Sequence, residues 1–522
     1  MKDRFGSLKK SFIFQGGILA ISGIIVRIIG MFYRIPMVNI IGSEGAGLYS
    51  VAFNVYNIVL ILSSYGMPMA VSKLVSARLV KSEYRNTKLI LARALTISVI
   101  MGGAAAILLF FGADFIEHTF YARYVGMAIP LRVLAPTVFI FSILGVFRGF
   151  FQGQGNMVPT AISQLIEQII NAVVSIVASY LFIRTFIQSV NVYAYGAAGG
   201  TLGTCMGALA ALGVVFFIFM KNLSLYKSRI ASDTESVDIG AGYTYKLIFA
   251  TIVPIIIGQT FYNVSAVVDD SLFSVLTTLD DTQATIAIGN YGQSFSTLTS
   301  IPMGIASAMS ASLLPSIVNS YTIGNIKEVR KKLAHTVRVT MMVAVPFVIA
   351  LTVLGQPVIQ VLFRSYDSVE GSIMLKIGAS AIVFYTLSTI TGAALQGIDK
   401  MRLPVRHSAI ALAFHIPLVV ILLKFTNLGI YSLVIGVMVF SAIVFSLNLY
   451  SLWKLTGYRQ EIVKTFLVPL YSASIMGIAA LLIYTGLNAV MGMVLIPLII
   501  SAIIGILIYF GILTVSKKIG WY

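Results

Sequence analysis

The stretch IIVRIIGMFYRIP, residues 24–36, places two arginines inside a long apolar segment that is predicted to be a membrane helix. The segment covers residues 12–41, so Arg27 lies about 15 residues from either end. At 1.5 Å rise per residue, Arg27 is roughly 20 Å from both ends, too deep for its side chain to reach the interface. Arg34 follows on nearly the same helical face, and Gly30 between them keeps that face open.

Arginine near the middle of a bilayer is costly, by at least about 2.5–3.5 kcal/mol on insertion scales, and normally faces a water-filled cavity or a partner. The forked donors of arginine match phosphate oxygens, and a diphosphate commonly links a lipid to a sugar. Arg27 and Arg34 are therefore predicted to line a cavity that binds a diphosphate. The alternative is structural: each arginine is bonded to backbone carbonyls or to a carboxylate, and Arg34 extends to the outer surface.

The composition predicts an all-α polytopic membrane protein, because 58% of the 522 residues are hydrophobic and only 10% are charged. The net charge of +18 comes from cations in short segments between apolar runs, which argues against nucleic-acid binding. The single cysteine, Cys205, excludes an intrachain disulfide, and His407 and His415 lack neighbours at metal-ligand spacing. No nucleophile, P-loop or zinc motif is present, so we expect neither a cofactor nor an enzyme.

Fourteen apolar runs are long enough to be spans. They cover residues 12–41, 48–71, 89–112, 128–151, 159–183, 194–220, 246–275, 285–313, 335–363, 372–396, 404–423, 429–453, 462–486 and 489–514. The loops on the N-terminal side carry 25 lysines and arginines and the opposite loops carry 4. The positive-inside rule therefore predicts that both termini are cytoplasmic in the cell membrane.

The two halves of the chain show a weak internal repeat. A shift of 242 residues aligns Tyr49 and Phe53 with Tyr291 and Phe295, and a shift of 244 continues the match through residues 131–157. The first six spans match the next six. Since six is an even number, the two repeats are predicted to be parallel, with a site between two lobes near the midplane. The predicted segments are lobe 1–221, a flexible cytoplasmic linker 222–245, lobe 246–455, and two C-terminal helices in 456–522.

Two further pairs of charges lie within predicted spans. Asp269 and Asp270 are near the outer end of span 7, where they either coordinate a coupling cation or pair with an arginine. The alternative is that both are solvated carboxylates at the interface, since the next loop is about five residues away. Arg148 in span 4 and Glu167 in span 5 can meet across a hairpin, and we interpret them as a structural charge pair.

Three motifs carry a resemblance to a known family: RIIGMFYRIP at 27–36, IGSEGAGLY at 41–49 and RGFFQGQGNMVPTAISQLIEQ at 148–168. With fourteen spans in two parallel lobes plus a terminal pair, the chain resembles the multidrug/oligosaccharidyl-lipid/polysaccharide exporter superfamily. The motifs look like its Gram-positive polysaccharide-transporter branch, which includes lipid II flippases. The resemblance implies a lipid-linked sugar as substrate, a cationic cavity containing Arg27 and Arg34, and a lipid-tail groove formed by the last two spans.

The sequence therefore predicts a flippase that moves an undecaprenyl-diphosphate-linked sugar, lipid II or a related lipid-linked oligosaccharide, across the cytoplasmic membrane by alternating access. Its expected partners are that lipid, a coupling cation (Na⁺ or H⁺) and enzymes of cell-wall synthesis, with no nucleic acid. One alternative is a cation-coupled multidrug exporter of the same superfamily. Another is a non-transporting membrane scaffold for cell-wall or spore-cortex synthesis, although a scaffold gains nothing from a midplane arginine.

Overall fold

The computed structural model describes residues 2–234 and 236–518. Within these residues the chain contains seventeen α-helices and two π-helical segments and no strand, so the predicted all-α class is confirmed. Residues 1, 235 and 519–522 lie outside the described residues; they belong to the predicted first lobe, linker and terminal pair. The chain divides into two compact units, Met1–Val267 and Val268–Tyr522. The predicted lobe and linker boundaries stay a prediction.

The first unit is built from α1 to α7 and most of α8. These helices are α1 Lys2–Ser63, α2 Met67–Leu79, α3 Tyr84–Phe120, α4 Ala128–Gly153, α5 Val158–Thr185, α6 Val192–Lys221, α7 Leu223–Ala231 and α8 Ala241–Leu276. Small residues on α6 allow close packing on α5: a Cβ at Gly203 would lie 2.6 Å from the Asn171 carbonyl oxygen, and one at Gly207 would lie 2.5 Å from that of Glu167.

Helix α1 bends sharply at Gly42, whose φ of 69° and ψ of −179° are not helical. This backbone region is essentially restricted to glycine, because a Cβ would clash there. The bend divides α1 into two helices that correspond to the first two predicted spans. Glycine therefore sets the direction in which the chain leaves the arginine-bearing helix.

The second unit contains the end of α8 and nine further helices. They are α9 Asp281–Asn290, α10 Leu298–Thr322, α11 Ile326–Leu362, α12 Ser368–Gly378, α13 Ala381–Gly397, α14 Arg402–Phe425, α15 Tyr431–Thr456, α16 Val468–Met491 and α17 Leu495–Lys518. The π-helical segments are Tyr291–Thr297 and Val463–Leu467. The predicted span 372–396 is broken, since α12 and α13 form an angle of 49°.

The predicted number of fourteen spans is not confirmed. Twelve helices in the described part of the chain are long and apolar enough to cross a membrane, or thirteen if the bent pair α12 and α13 is one span. One of the twelve is the 55-residue stretch Ile25–Leu79, which contains residues 25–41 of the first predicted span and all of the second, 48–71. A membrane helix needs only about 20 residues, so the number fourteen stays a prediction that depends on this stretch.

Candidate functional site

Arg27 and Arg34 both lie on the first half of α1, before the bend. The side chain of Arg27 is exposed and that of Arg34 is partly buried. The guanidinium carbon of Arg34 lies 5.5 Å from the ring centroid of Tyr49, which is 2% exposed. In a straight helix these residues would be about 22 Å apart, so the bend at Gly42 brings them together. The buried Nε of Arg34 has no hydrogen-bond acceptor among the described residues.

Helix α5 adds polar side chains to the arginine-bearing face of α1. A Cβ at Gly30 would lie 3.0 Å from Nε2 of Gln168, so the Gln168 amide occupies the space that this glycine leaves open. Nδ2 of Asn171 donates to the hydroxyl oxygen of Tyr33 at 3.2 Å. Hydrogen-bond donors from α5 therefore lie beside the segment that carries both arginines.

Sequence reasoning missed these α5 amides, although a signal was present. Gln164, Gln168 and Asn171 recur at helical spacing, which places them along one stripe of a helix that also carries Ser163 and Glu167. Oε1 of Gln164 is buried without a hydrogen-bond partner among the described residues. A buried polar atom without a partner inside a membrane helix points to a binding surface.

Arg148 and Glu167 are in contact. Nη2 of Arg148 donates to Oε2 of Glu167 at 2.7 Å, and Nε donates to the hydroxyl of Ser163 at 2.9 Å. The two charged side chains are 11% and 21% exposed, so they are largely shielded from solvent. This geometry links α4 to α5; a structural role for the pair stays a prediction.

Asp269 and Asp270 are 2% and 3% exposed. Interpreting them as solvated interfacial carboxylates is therefore wrong, because α8 continues past Asp270 to Leu276 and both side chains are almost fully shielded from solvent. Oδ1 of Asp269 lies 2.6 Å from Nε2 of His415 on α14. The observed partner of Asp269 is thus a histidine, where the sequence predicted either a coupling cation or an arginine.

His415 is held from both sides. Its Nδ1 lies 3.0 Å from the carbonyl oxygen of Gly436 on α15, and a Cβ at Gly436 would lie 2.8 Å from the imidazole ring. His407, which shares a helix with it, instead contacts Oδ1 of Asn448 at 2.7 Å. The two histidines therefore do not share a site. Among the described residues, no group of three or more His, Cys, Asp or Glu could hold a metal ion.

The Asp269–His415 pair has a chemical consequence. A carbonyl oxygen only accepts hydrogen bonds, so Nδ1 of His415 carries a proton. The 2.6 Å contact between Nε2 and the Asp269 carboxylate then needs a second proton, on the imidazole or on the carboxyl group. Oδ2 of Asp269 has no hydrogen-bond partner among the described residues. The pair can therefore hold one exchangeable proton in a buried position.

Two family models match the chain. One, described as "Polysaccharide biosynthesis protein", covers residues 15–321, more than half of the chain, and the other, described as "MatE", covers residues 254–421. The chain is 25% identical over 491 residues to "Lipid II flippase MurJ" of Bacillus subtilis (strain 168), a match covering 88% of this chain and 86% of that protein. It is also 25% identical over 434 residues to "Stage V sporulation protein B" of the same organism, covering 82% and 81%.

The fold matches a solved structure described as "Lipid II flippase MurJ, inward closed conformation". The TM-score is 0.68 at 16% identity, and the match covers 96% of this chain and 99% of that one. At this identity the likeness shows a shared fold only.

Proposed function

Because the chain belongs to the polysaccharide biosynthesis protein family, we propose that it is a flippase for an undecaprenyl-diphosphate-linked cell-wall precursor. The precursor is lipid II or a related lipid-linked oligosaccharide, moved from the cytoplasmic to the outer leaflet by alternating access. The resemblance to the multidrug/oligosaccharidyl-lipid/polysaccharide exporter superfamily is confirmed by both family models and by the curated relatives. The relative named as a lipid II flippase supports the substrate class.

The observation that carries the proposal is the polar face of α1. Arg27 is exposed, the Nε of Arg34 is without an acceptor among the described residues, and the amide of Gln168 lies beside Gly30. Two guanidinium groups about 10 Å apart along one helix suit an extended anionic head group. We assign Arg27 and Arg34 to the diphosphate and the nearby amides to sugar hydroxyls. The lipid tail stays in the bilayer, against α16 and α17.

The buried pair Asp269–His415 supplies the coupling site of the proposal. The sequence has no P-loop, so we propose that transport is driven by the membrane potential or an ion gradient. Moving one elementary charge through 100 mV supplies about 2.3 kcal/mol, which shifts a two-state equilibrium roughly fifty-fold. The exchangeable proton of Asp269–His415 suits H⁺ as the coupling ion. Asp270, buried beside Asp269, adds a second carboxylate at that position.

A second candidate function is favoured by one specific observation. The MatE model covers residues 254–421, and this segment contains the buried carboxylate of Asp269 and its histidine partner. A cation-coupled multidrug exporter needs such a membrane-embedded carboxylate. It has no need of two arginines on α1, and for this reason the flippase is the stronger proposal.

The proposal also includes the location and partners of the protein. The chain is a multi-span membrane protein. We place it in the cytoplasmic membrane with both termini in the cytoplasm, acting as a transporter without enzymatic activity and alongside enzymes of cell-wall synthesis. The excess of lysine and arginine in the N-terminal-side loops supports this orientation.

Complementation tests the proposed function. The gene is expressed in a bacterium depleted of its own lipid II flippase, and growth and lipid II exposure at the outer surface are measured. We expect rescue by the wild-type protein and no rescue by Arg27→Ala at equal membrane abundance. Failure of the wild-type protein to expose lipid II, together with energy-dependent dye efflux, would favour the exporter.

A further inference from the structure

The first unit contains a cavity of about 310 Å³ that the proposed transport does not use. It lies where the start of α3 and the ends of α4 and α6 meet the short helix α7. Its volume is at the lower end of the range for small-molecule sites. All four elements meet here on the side that the loop charges predict to be cytoplasmic.

The interior of the cavity is apolar and rigid. Phe150, Phe219 and Tyr226 form a mutual ring cluster, with centroid distances of 5.9 Å, 5.6 Å and 5.5 Å. Leu79 and Leu91 complete the apolar lining. Aromatic side chains packed against one another give a preformed wall that suits a hydrocarbon chain.

The edge of the cavity is cationic. Lys88, Lys227 and Arg229 line it and are exposed, and within residues 2–234 and 236–518 none of them forms a salt bridge. In contrast, nearby Arg85 is paired with Asp238 at 2.7 Å. Gln154 also lines the cavity, beside Tyr226. Three cations at the edge of an apolar cavity suit a ligand with an anionic head and an apolar tail.

The segment that follows α7 and the cavity lining is attached to α3 by hydrogen bonds. The backbone N–H of Arg85 donates to Oδ2 of Asp233 at 2.8 Å. Asn86 donates to the Val237 carbonyl at 3.0 Å and accepts from the N–H of Ile239 at 3.1 Å. The cavity is therefore part of the folded unit rather than a gap under a loose linker.

We propose that this cavity binds an anionic phospholipid of the inner leaflet, with an acyl chain against the aromatic cluster and the phosphate on Lys88, Lys227 and Arg229. Basic pockets at the cytoplasmic ends of membrane helices typically bind anionic lipid head groups. A membrane lipid is also the ligand that is always present at this depth. The site is independent of the proposed flipping, because it shares no residue with the arginine face of α1.

The test is lipid binding to the purified full-length protein in detergent micelles, measured by thermal unfolding and native mass spectrometry. The probes are dioleoyl phosphatidylglycerol, dioleoyl phosphatidylcholine and glycerol phosphate alone. We expect phosphatidylglycerol to bind about tenfold or more tightly than phosphatidylcholine. That preference should disappear in the triple variant Lys88→Gln, Lys227→Gln, Arg229→Gln. Ala231 lines the cavity, so the larger side chain of Ala231→Trp should occupy part of its volume. This variant should weaken binding of the lipid and leave the exposed cations in place.

The matched control removes three exposed lysines of the second unit, as Lys327→Gln, Lys331→Gln, Lys400→Gln. It lowers the net charge equally and should keep the lipid preference. Equal binding of the two phospholipids, or loss of the preference in the control, would overturn the proposal. An equal thermal shift with glycerol phosphate would show a phosphate-ion site and also overturn it. Unchanged lipid binding by Ala231→Trp would show surface adsorption with no acyl chain in the cavity.

Discussion

At the scale of single residues, the account depends most on Arg27. Arginine offers a planar fork with two parallel donors to a phosphate, whereas lysine offers a compact point charge. We expect Arg27→Ala to abolish flipping and Arg27→Lys to lower its rate about tenfold or more, since a charged hydrogen bond contributes about 1.5–3 kcal/mol. The measurement is lipid II exposure in cells with equal membrane abundance of each variant. Arg184→Lys, an arginine that stacks on Tyr180, is the control and should keep full activity.

Full activity of Arg27→Lys would show that the fork is not needed and that charge alone suffices. Loss of activity in the Arg184→Lys control as well would point to a general effect of replacing arginine.

The buried pair Asp269–His415 makes a second residue-scale prediction. Asp269→Asn keeps a hydrogen-bond partner for the imidazole and removes the site for the exchangeable proton. We expect this variant to fold, to flip more slowly, and to become insensitive to collapse of the pH gradient by an electroneutral ionophore. The measurement is lipid II exposure with and without that ionophore. His407→Gln is the control. His407 lies on α14 with His415 but contacts Asn448, which is not a carboxylate, so this variant should keep the wild-type response.

Retained ionophore sensitivity in Asp269→Asn would contradict the coupling role of the pair. Equal loss of sensitivity in His407→Gln would show a non-specific effect of changing α14.

Sequence reasoning finds the charge pair Arg148–Glu167 and misses the pair Asp269–His415, for a physical reason. Arg148 and Glu167 are on consecutive helices, so helix length and the connecting turn restrict their separation. Asp269 and His415 are 146 residues apart, and their contact depends on how α8, α14 and α15 pack. A single sequence shows that a carboxylate inside an apolar helix needs a partner. It does not show which other helix supplies that partner.

At the scale of elements, the bend in α1 makes the strongest prediction. A side chain at Gly42 would be forced into a backbone region that is essentially restricted to glycine, at a cost of about 1–3 kcal/mol. We expect Gly42→Ala to lower the melting temperature in detergent and to reduce flipping, because the contact of Arg34 with Tyr49 needs the bend. Gly23→Ala is the matched control: it lies in the helical part of α1 with nothing within 4 Å of its Cβ.

Helix propensity makes Gly23→Ala neutral or slightly stabilising. A Gly42→Ala protein as stable and active as wild type would contradict the role of the bend.

The segment between α7 and α8 gives a prediction about dynamics. Its polar sequence predicts a flexible linker, whereas the structure attaches it to α3 through Asn86. We expect Asn86→Ala to increase amide hydrogen exchange in residues 236–240, because two hydrogen bonds are lost. Thr96→Ala is the control, since the hydroxyl of Thr96 donates to the Ala92 carbonyl on its own helix. Exchange in 236–240 that is already fast in wild type would contradict the attachment.

At the scale of the whole molecule, hydrophobicity alone predicts most of the fold. Runs of about 20 apolar residues predict membrane helices because every backbone polar group in lipid must be satisfied within the helix. Breaks inside those runs are harder to predict, since the bend of 49° between α12 and α13 depends on packing within the second unit. The internal repeat rests on few matched residues, so the two lobes stay a prediction.

The central claim is that this membrane protein moves a diphosphate-linked lipid and does so through Arg27. The most direct measurement is lipid II exposure and dye efflux, side by side, in flippase-depleted cells that express the wild-type protein, Arg27→Ala, or the double variant Asp269→Asn with Asp270→Asn. The account predicts that Arg27→Ala loses lipid II exposure, that the double Asn variant keeps part of it, and that none changes dye efflux. Dye efflux that requires Asp269 or Asp270, with unchanged lipid II exposure in Arg27→Ala, would contradict the account.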